Sequence, residues 1–155
     1  MKRLTALVFI AGIAAVASIV ARPATAGRGG TITLLAPTGG KTVEIVTNKR
    51  GDEHAIGDEF ITTDAPLVDP GTRKPVGRMD GVETILSTSA DNVALVVRLA
   101  TGQLFTSGER RHPDRVNVLA VTGGTGAYAS TRGTVTLTEL GESGAARLTF
   151  VLTAG

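Results

Sequence analysis

The chain has 155 residues, no cysteine, and 16 basic against 14 acidic residues, so neither disulfides nor a cysteine-based zinc site can hold it together. The formal charge of +2 comes from the first 26 residues, which hold three bases and no acid; removing those three from the 16 leaves 13 bases against 14 acids. Nucleic acids are bound by clustered basic surfaces. We therefore expect no nucleic-acid partner.

The N-terminus has the pattern of a cleavable secretion signal. Lys2 and Arg3 precede an uncharged run from residue 4 to residue 20, and an Ala-x-Ala site ends at Ala26. The uncharged run, about 17 residues, is at the short limit for a transmembrane helix. We therefore predict a signal peptide over 1–26, a secreted, extracellular protein, and no stable membrane anchor after cleavage.

The rest of the chain has the size of one domain. Residues 27–30 are rich in glycine and predict a flexible leader, and residues 31–155 predict the single domain. Because it lacks disulfides, this domain must be held by packing and hydrogen bonds alone.

From residue 31 onward, short apolar or alternating runs are separated by turn residues at every connection, as in all-β proteins. The segments 65–74, with two prolines, and 108–114 are predicted loops, which places the pair Arg110-Arg111 in solvent near a turn. The runs predict nine strands, over 31–36, 42–48, 57–63, 76–87, 92–100, 103–107, 116–121, 134–140 and 145–152.

The fifth predicted strand is apolar on both faces. Val93, Leu95 and Val97 point one way, and Ala94 and Val96 point the other. A barrel with an inner core and an outer subunit interface would cover both faces, and closure also removes the exposed edges of a sheet. The sequence therefore predicts an all-β fold, a closed antiparallel β-barrel of about eight strands, with a two-sheet sandwich as the alternative.

The connection between the seventh and eighth predicted strands is rich in glycine. Gly124-Thr-Gly-Ala-Tyr-Ala129 has the G-x-G-x-x-A spacing of dinucleotide loops. Such a loop must lead into a helix, whereas this sequence continues with the period of a strand. We therefore expect these glycines to supply positive φ and close backbone contact at a strand-to-strand corner.

Three segments together resemble the allene oxide cyclase and dirigent superfamily, and its secreted bacterial members most of all. They are Gly57-Asp-Glu-Phe-Ile-Thr-Thr-Asp64, similar to a G-D-x-F-V strand; Val76-Gly-Arg-Met-Asp-Gly81, similar to V-G-R-x-x-G; and Gly123-Gly-Thr-Gly-Ala-Tyr128 with Thr131-Arg-Gly133, similar to a G-G-T-G-x-F/Y corner with an A-R-G tail.

The resemblance implies an eight-stranded, calycin-like barrel with a hydrophobic ligand cavity, assembled as a homodimer or homotrimer. It implies activity without a cofactor or metal, in which the cavity holds a reactive small molecule in one conformation during cyclisation or coupling. Three features depart from the pattern. Ala127 stands where many plant dirigent proteins have an aspartate, and Thr131 stands in place of the A-R-G alanine. Four Phe, one Tyr and no Trp favour an aliphatic over a phenolic substrate.

Five residues are candidates for the ligand pocket. Arg132 matches the A-R-G arginine, and could instead clamp the glycine corner; Tyr128 matches the motif's aromatic residue and is expected to pack under that corner. Arg78 and Asp80 share one face of a strand, either in the lumen as a buried pair or outside as a surface pair. Asp64 ends a strand at the barrel rim, where it could meet a ligand or cap a turn.

Other chemistries find no support in the sequence. Asp52, Glu53 and His54 lack the spacing of a calcium loop, His112 lies in a predicted loop, and no serine has a G-x-S-x-G context. The leading hypothesis is a secreted barrel that binds a small hydrophobic molecule and steers its cyclisation or coupling as an isomerase-type enzyme. The alternatives are a carrier without catalysis and a structural envelope protein on the same barrel.

Overall fold

The structure is a computed structural model that describes residues 30–38, 40–45, 55–141 and 144–154. The predicted signal peptide and residues 27–29 of the leader lie outside these ranges, and Gly30 begins the first strand. Among the described residues, no helix has the length and apolar character needed to cross a membrane.

The described chain contains nine strands and a single-turn 3-10 helix, in the order expected from the sequence. The strands are β1 (Gly30–Ala36), β2 (Lys41–Ile45), β3 (Glu59–Val68), β4 (Pro75–Ser87), β5 (Ala90–Leu99), β6 (Gly102–Arg111), β7 (Val116–Gly124), β8 (Thr131–Glu139) and β9 (Ala146–Ala154), and the 3-10 helix is Gly126–Tyr128.

All nine strands belong to one antiparallel sheet that closes on itself. The strand order is β1-β9-β8-β7-β6-β5-β4-β3-β2, and β1 also pairs with β3, where Leu35 lies opposite Val68. Eight strands therefore form a closed barrel, and β2 adds a further strand along the first half of β3. The predicted barrel is confirmed, and the alternative of a two-sheet sandwich is wrong.

The third strand changes its partner halfway along. Its first half pairs with β2, up to Lys41 opposite Thr63, and its end pairs with β1. A β-bulge between Thr62 and Ala65 separates the two halves, and Asp64 in this bulge has a φ of 57°. Aspartate is one of the few residues other than glycine that tolerate this left-handed conformation.

Two predicted loops, 65–74 and 108–114, are strand over their first four residues. β3 continues through Pro66 to Val68, because proline is tolerated in a strand beside a bulge, where a ladder hydrogen bond is already missing. β6 continues through Gly108 to Arg111. At Gly108 a Cβ atom would lie 3.1 Å from Leu119 Cδ2, so this glycine makes room for a packed leucine rather than for a turn.

The apolar core fills one end of the lumen. Alternate residues of each strand point inward, as the paired positions Val97 and Leu104 illustrate. The side chains that are fully shielded from solvent in this core are Leu67, Val97, Leu104, Val135, Leu148 and Phe150. The filled end includes Tyr128 beneath the glycine corner.

The packing of this core can be tested at two adjacent positions of β9. Phe150 is 0% exposed, whereas its neighbour Val151 is 51% exposed on the outer face. We expect Phe150→Ala to lower the free energy of unfolding by about 3–5 kcal/mol, because it removes buried area and leaves a void. Val151→Ala should change it by less than about 0.5 kcal/mol. Urea denaturation measures both values, and similar losses would contradict the assignment of the inner face.

Candidate functional site

The opposite end of the lumen is open and contains a cavity of about 480 Å3. The apolar side chains on its walls include Phe60, Ala65, Met79, Val93, Leu95 and Leu137. Gly81 lies on the inner face of β4, opposite Leu95, where a Cβ atom would stand 3.0 Å from Leu95 Cδ2. The missing side chain at this position helps to keep the cavity open.

Three charged side chains line one side of the cavity: Glu83, Arg110 and Glu139. Strand register explains why they point inward. Glu83 lies opposite the buried Val93, and Arg110 lies opposite the buried Asp91. Paired residues point to the same face of a sheet, so the charged groups share the lumen with the apolar walls.

Arg110 joins the carboxyl groups of this cluster. Its Nη2 donates to Glu83 Oε1 and to Asp91 Oδ2, the latter at 2.9 Å, and its Nη1 lies 4.0 Å from Glu139 Oε1. Asp91 Oδ2 is also 2.5 Å from His112 Nε2. The side chains of Glu83, Asp91 and His112 are 25%, 5% and 43% exposed. The cluster therefore extends from the cavity through a buried carboxylate to a solvent-exposed imidazole.

The two neighbouring carboxyl groups have opposite pKa shifts. Burial raises the pKa of Glu83 to about 7; the Arg110 charge opposes this rise, and the adjacent Asp91 adds to it. Burial also disfavours ionised Asp91, but hydrogen bonds from His112, Glu83 and Arg110 outweigh it and lower the pKa of Asp91. Near neutral pH, Glu83 therefore exchanges a proton readily while Asp91 is charged.

The same side chains have a spacing that could suit a metal ion. One oxygen each of Glu83 and Asp91 and a ring nitrogen of His112 all lie within 4.8 Å of one another. However, the Arg110 guanidinium is bound to both carboxylates. Its positive charge occupies the place that a cation would need, so the arrangement favours proton exchange over metal binding.

The structure places Arg78 and Asp80 on the outer face of β4 rather than in the lumen. Asp80 accepts a 2.8 Å hydrogen bond from the backbone N–H of Asp64 and is paired with Arg98. Arg78 Nη1 donates to the Asp64 carbonyl at 3.2 Å. The Asp64 hydrogen bond, with Arg98, lowers the pKa of Asp80. These four residues, which we name the outer clamp, hold the β3 bulge and do not line the cavity.

Arg132 and Tyr128 lie at the glycine corner, away from the cavity. Arg132 is exposed, and its Nη1 donates to the Thr131 carbonyl at 2.9 Å. Tyr128 is buried in the core, and its hydroxyl lies 3.2 Å from Thr101 Oγ1. None of the five residues selected from the sequence lines the cavity. The charged side chains that do, together with Asp91 and His112, were not selected.

The shifted pKa of Glu83 predicts a pH-dependent stability. Between about pH 4.5 and about pH 7, Glu83 keeps its proton in the folded state but loses it in the unfolded chain. The free energy of unfolding therefore falls as pH rises through this range. We expect Glu83→Gln to remove this fall, which is at most about 3 kcal/mol. Asp91 has the opposite sign and acts below this window, because its pKa is lowered.

Urea denaturation across the window measures the effect of Glu83→Gln. The matched control is Glu109→Gln, because Glu109 is an exposed acid on β6 that pairs with Arg111 and not with the cluster. The control should keep the pH dependence of the parent chain. If the free energy of unfolding falls equally with pH in the parent chain and in Glu83→Gln, Glu83 is not the group that holds the proton.

The outer clamp predicts a stabilising role for Asp80. Asp80→Asn weakens the hydrogen bond to the Asp64 N–H and the pair with Arg98, and we expect a loss of about 1–2 kcal/mol of unfolding free energy. The exposed pair Glu109–Arg111 is the control, and Glu109→Gln should cost less than about 1 kcal/mol. Chemical denaturation compares them, and an Asp80→Asn loss no larger than that of the control would argue against the clamp.

Comparison with known proteins identifies the fold. Neither a protein-family model nor a curated protein matches the chain. Among solved structures, a pyocyanin demethylase is 24% identical with a TM-score of 0.65, over 80% of this chain and 100% of that one. A pterocarpan synthase dirigent protein is 19% identical with a TM-score of 0.60, over 80% and 91% of the two chains.

A nonspecific heme-binding cyclase that catalyses a cycloaddition during neoabyssomicin biosynthesis is also similar. It is 17% identical with a TM-score of 0.62, over 81% of this chain and 65% of that one. By their names, these three proteins act on small molecules. The resemblance seen in the sequence is confirmed at the level of the fold: the chain has the β-barrel fold of these solved structures, which include dirigent proteins.

Proposed function

We propose that this protein binds a small, largely apolar molecule in its lumen and steers the cyclisation or coupling of that molecule without a cofactor. The observation that carries this proposal is the cavity of about 480 Å3, walled by apolar side chains at the open end of the barrel. Pockets for small organic molecules have volumes of roughly 300–1,000 Å3 and mostly apolar walls with a few polar groups.

The arrangement of the cavity suits a molecule with one polar group. Its apolar body would contact Phe60, Met79 and Leu95, and its polar group would face Glu83 and Arg110. A molecule fixed at both ends has few conformations left, and orientation of this kind can supply much of the acceleration of an intramolecular reaction. A cyclisation adds no atoms to the substrate, so it requires binding, orientation and at most a proton transfer.

The main alternative is a carrier that binds the same molecule without changing it. A carrier needs the apolar walls but has no need of Glu83, Arg110 and Glu139 beside the ligand, where their desolvation is costly. This charged side of the cavity favours an enzyme. The open cavity also argues against an envelope protein whose lumen is filled with side chains.

Secretion and self-assembly are part of the proposal. Secretion is supported by the signal-like pattern of residues 1–26, which lie outside the described residues. Assembly as a homodimer or homotrimer is supported by exposed apolar side chains on the outer face of the barrel, among them Val116, Val118 and Val151. Native mass spectrometry of protein recovered from culture medium measures the number of copies and any ligand carried with them.

Filling the cavity tests ligand binding. Ala146 is an inward residue of β9 that lines the cavity, opposite Ala36 and Glu139. We expect Ala146→Phe to weaken the binding of N-phenyl-1-naphthylamine, a neutral apolar fluorophore, by about tenfold or more, because the added ring occupies the apolar space. Fluorescence titration measures the affinity.

The control places the same aromatic ring on the other face of the same strand. Val151 points outward, so Val151→Phe should leave the affinity for the fluorophore unchanged. Equal effects of the two variants, or no saturable binding to the parent chain, would be evidence against a ligand-binding lumen.

A further inference from the structure

We infer that Glu83, Asp91 and His112 form a proton relay that connects the lumen with solvent and lets Glu83 protonate or deprotonate a molecule bound in the cavity. The inference deepens the proposed function, because the lumen ligand is the molecule that exchanges the proton. It adds acid–base catalysis to binding and orientation.

The inner end of the relay is the carboxyl group of Glu83. Glu83 is an inward residue of β4, opposite Val93, and it lines the cavity beside Gly81 and Val82. It is the cavity acid that has a carboxyl oxygen within 4.8 Å of a carboxyl oxygen of the buried Asp91. A bound molecule in this cavity would therefore meet a proton donor that has a second carboxylate directly behind it.

The middle of the relay is held in place by Arg110. One guanidinium nitrogen, Nη2, binds Glu83 Oε1 and Asp91 Oδ2 together, so the two carboxyl groups stay side by side. Asp91 is opposite Arg110 in the β5–β6 ladder, which fixes its position relative to the cavity. Arg110 therefore acts as a positioning residue rather than as a proton carrier, since a guanidinium does not lose its proton in proteins.

The outer end of the relay is the imidazole of His112. Its Nε2 is 2.5 Å from Asp91 Oδ2, and its side chain is 43% exposed. A neutral imidazole carries a proton on one nitrogen and can accept a proton on the other. His112 can therefore pass a proton to Asp91 through one nitrogen while its other nitrogen takes one from solvent.

The transfer balances without any oxidant or reductant. The O–H bond of Glu83 breaks, a bond forms between that proton and a basic atom of the ligand, and the electron pair remains on the Glu83 carboxylate. His112 Nε2 then gives its proton to the Asp91 carboxylate, Asp91 passes that proton on to the Glu83 carboxylate and is again ionised, and His112 takes a proton from hydronium, leaving water. The reverse order removes a proton from the ligand.

The charged groups around Glu83 come from four segments of the chain. Arg110 on β6 binds Glu83 directly, and the same guanidinium binds Asp91 on β5. His112, which follows β6, contacts Asp91. Glu139 on β8 lies 4.0 Å from Arg110 Nη1. Glu139 reaches the cavity but does not touch the Asp91–His112 pair in the described contacts. The path to solvent therefore runs through Asp91 and His112.

Time-resolved infrared spectroscopy of the full chain tests the relay without a ligand. A laser-induced pH jump across the titration range of Glu83 makes the carbonyl stretch of its protonated carboxyl group appear, and Glu83→Gln identifies this band by removing it. We expect His112→Ala to slow the rise of the band by about tenfold or more, and added imidazole to restore the rate in proportion to its concentration.

Two variants separate proton transfer from a structural role of His112. His112→Gln can still hydrogen-bond to Asp91 but cannot relay a proton, so it should be as slow as His112→Ala. Arg111→Ala, an exposed neighbour that pairs with Glu109, should retain the rate of the parent chain. A parent-like rate in both His112 variants, or no effect of imidazole on His112→Ala, would overturn the relay.

Acridine distinguishes failure of the relay from failure of the proposed function. Acridine is a small apolar base whose fluorescence differs between its neutral and protonated forms, and Ala146→Phe should exclude it from the lumen. Both proposals are supported if Ala146→Phe abolishes the binding of acridine and Glu83→Gln abolishes the protonation of bound acridine. A slowed infrared signal without lumen binding of acridine would leave the relay standing and contradict the proposed ligand. A parent-like infrared signal contradicts the relay whether or not acridine binds.

Discussion

The barrel wall at the β3 bulge is held by a hydrogen bond from the backbone N–H of Asp64 to the side-chain carboxylate of Asp80 at 2.8 Å. At this point β3 leaves β2 and turns towards β1, and the bulge places the backbone of Asp64 in the left-handed region. Without a fixed bulge, β3 would continue along β2, and its last residue, Val68, could not pair with Leu35 of β1. Arg98 and Arg78 neutralise the two carboxylates gathered there, which lets a charged acceptor sit on the outer wall. This junction thus stabilises the point at which β3 passes from β2 to β1 in the closed wall.

The three sequence motifs shared with dirigent-like barrels stabilise the scaffold and do not form the cavity's polar side. The first two meet in the outer clamp, through Asp64 of one and Asp80 of the other. The third closes the filled end of the lumen, where a Cβ atom on Gly124 would lie 2.3 Å from the Gln103 carbonyl oxygen. Phe60, Met79 and Gly81 of the first two motifs form part of the apolar cavity wall, whereas the charged residues of the cavity lie outside all three motifs. The solved structures with this fold are 17–24% identical to this chain, and their names describe different reactions.

Strand alternation made the fold predictable from the sequence, whereas the candidate site depended on strand lengths and register. The inward Val93, Leu95 and Val97 follow directly from a period of two. Arg110 was missed because Gly108 was interpreted as the end of β6. Had β6 been extended through this glycine, the tight turn after Leu99 would have paired Arg110 with Asp91, since Leu99 lies opposite Gly102. The contact with Glu83 comes from a third strand, β4, and the register of β4 on β5 includes a shift between Ile85 and Ser87. No pattern within one segment contains that information.

The charge balance inside the lumen explains why a proton is retained there. Arg110 is one cation facing Glu83, Asp91 and Glu139, and a single guanidinium does not fully compensate the two of these carboxyl groups that are largely buried, Glu83 and Asp91. Asp91 is the most buried of the three side chains, but it accepts hydrogen bonds from both Arg110 and His112 and therefore remains ionised. Glu83 has weaker compensation and keeps a proton up to a pKa of about 7. The excess of acids over bases at this end of the barrel thus produces a neutral, proton-bearing carboxyl group in contact with an apolar cavity. This is the environment in which a carboxyl group is most effective as a general acid.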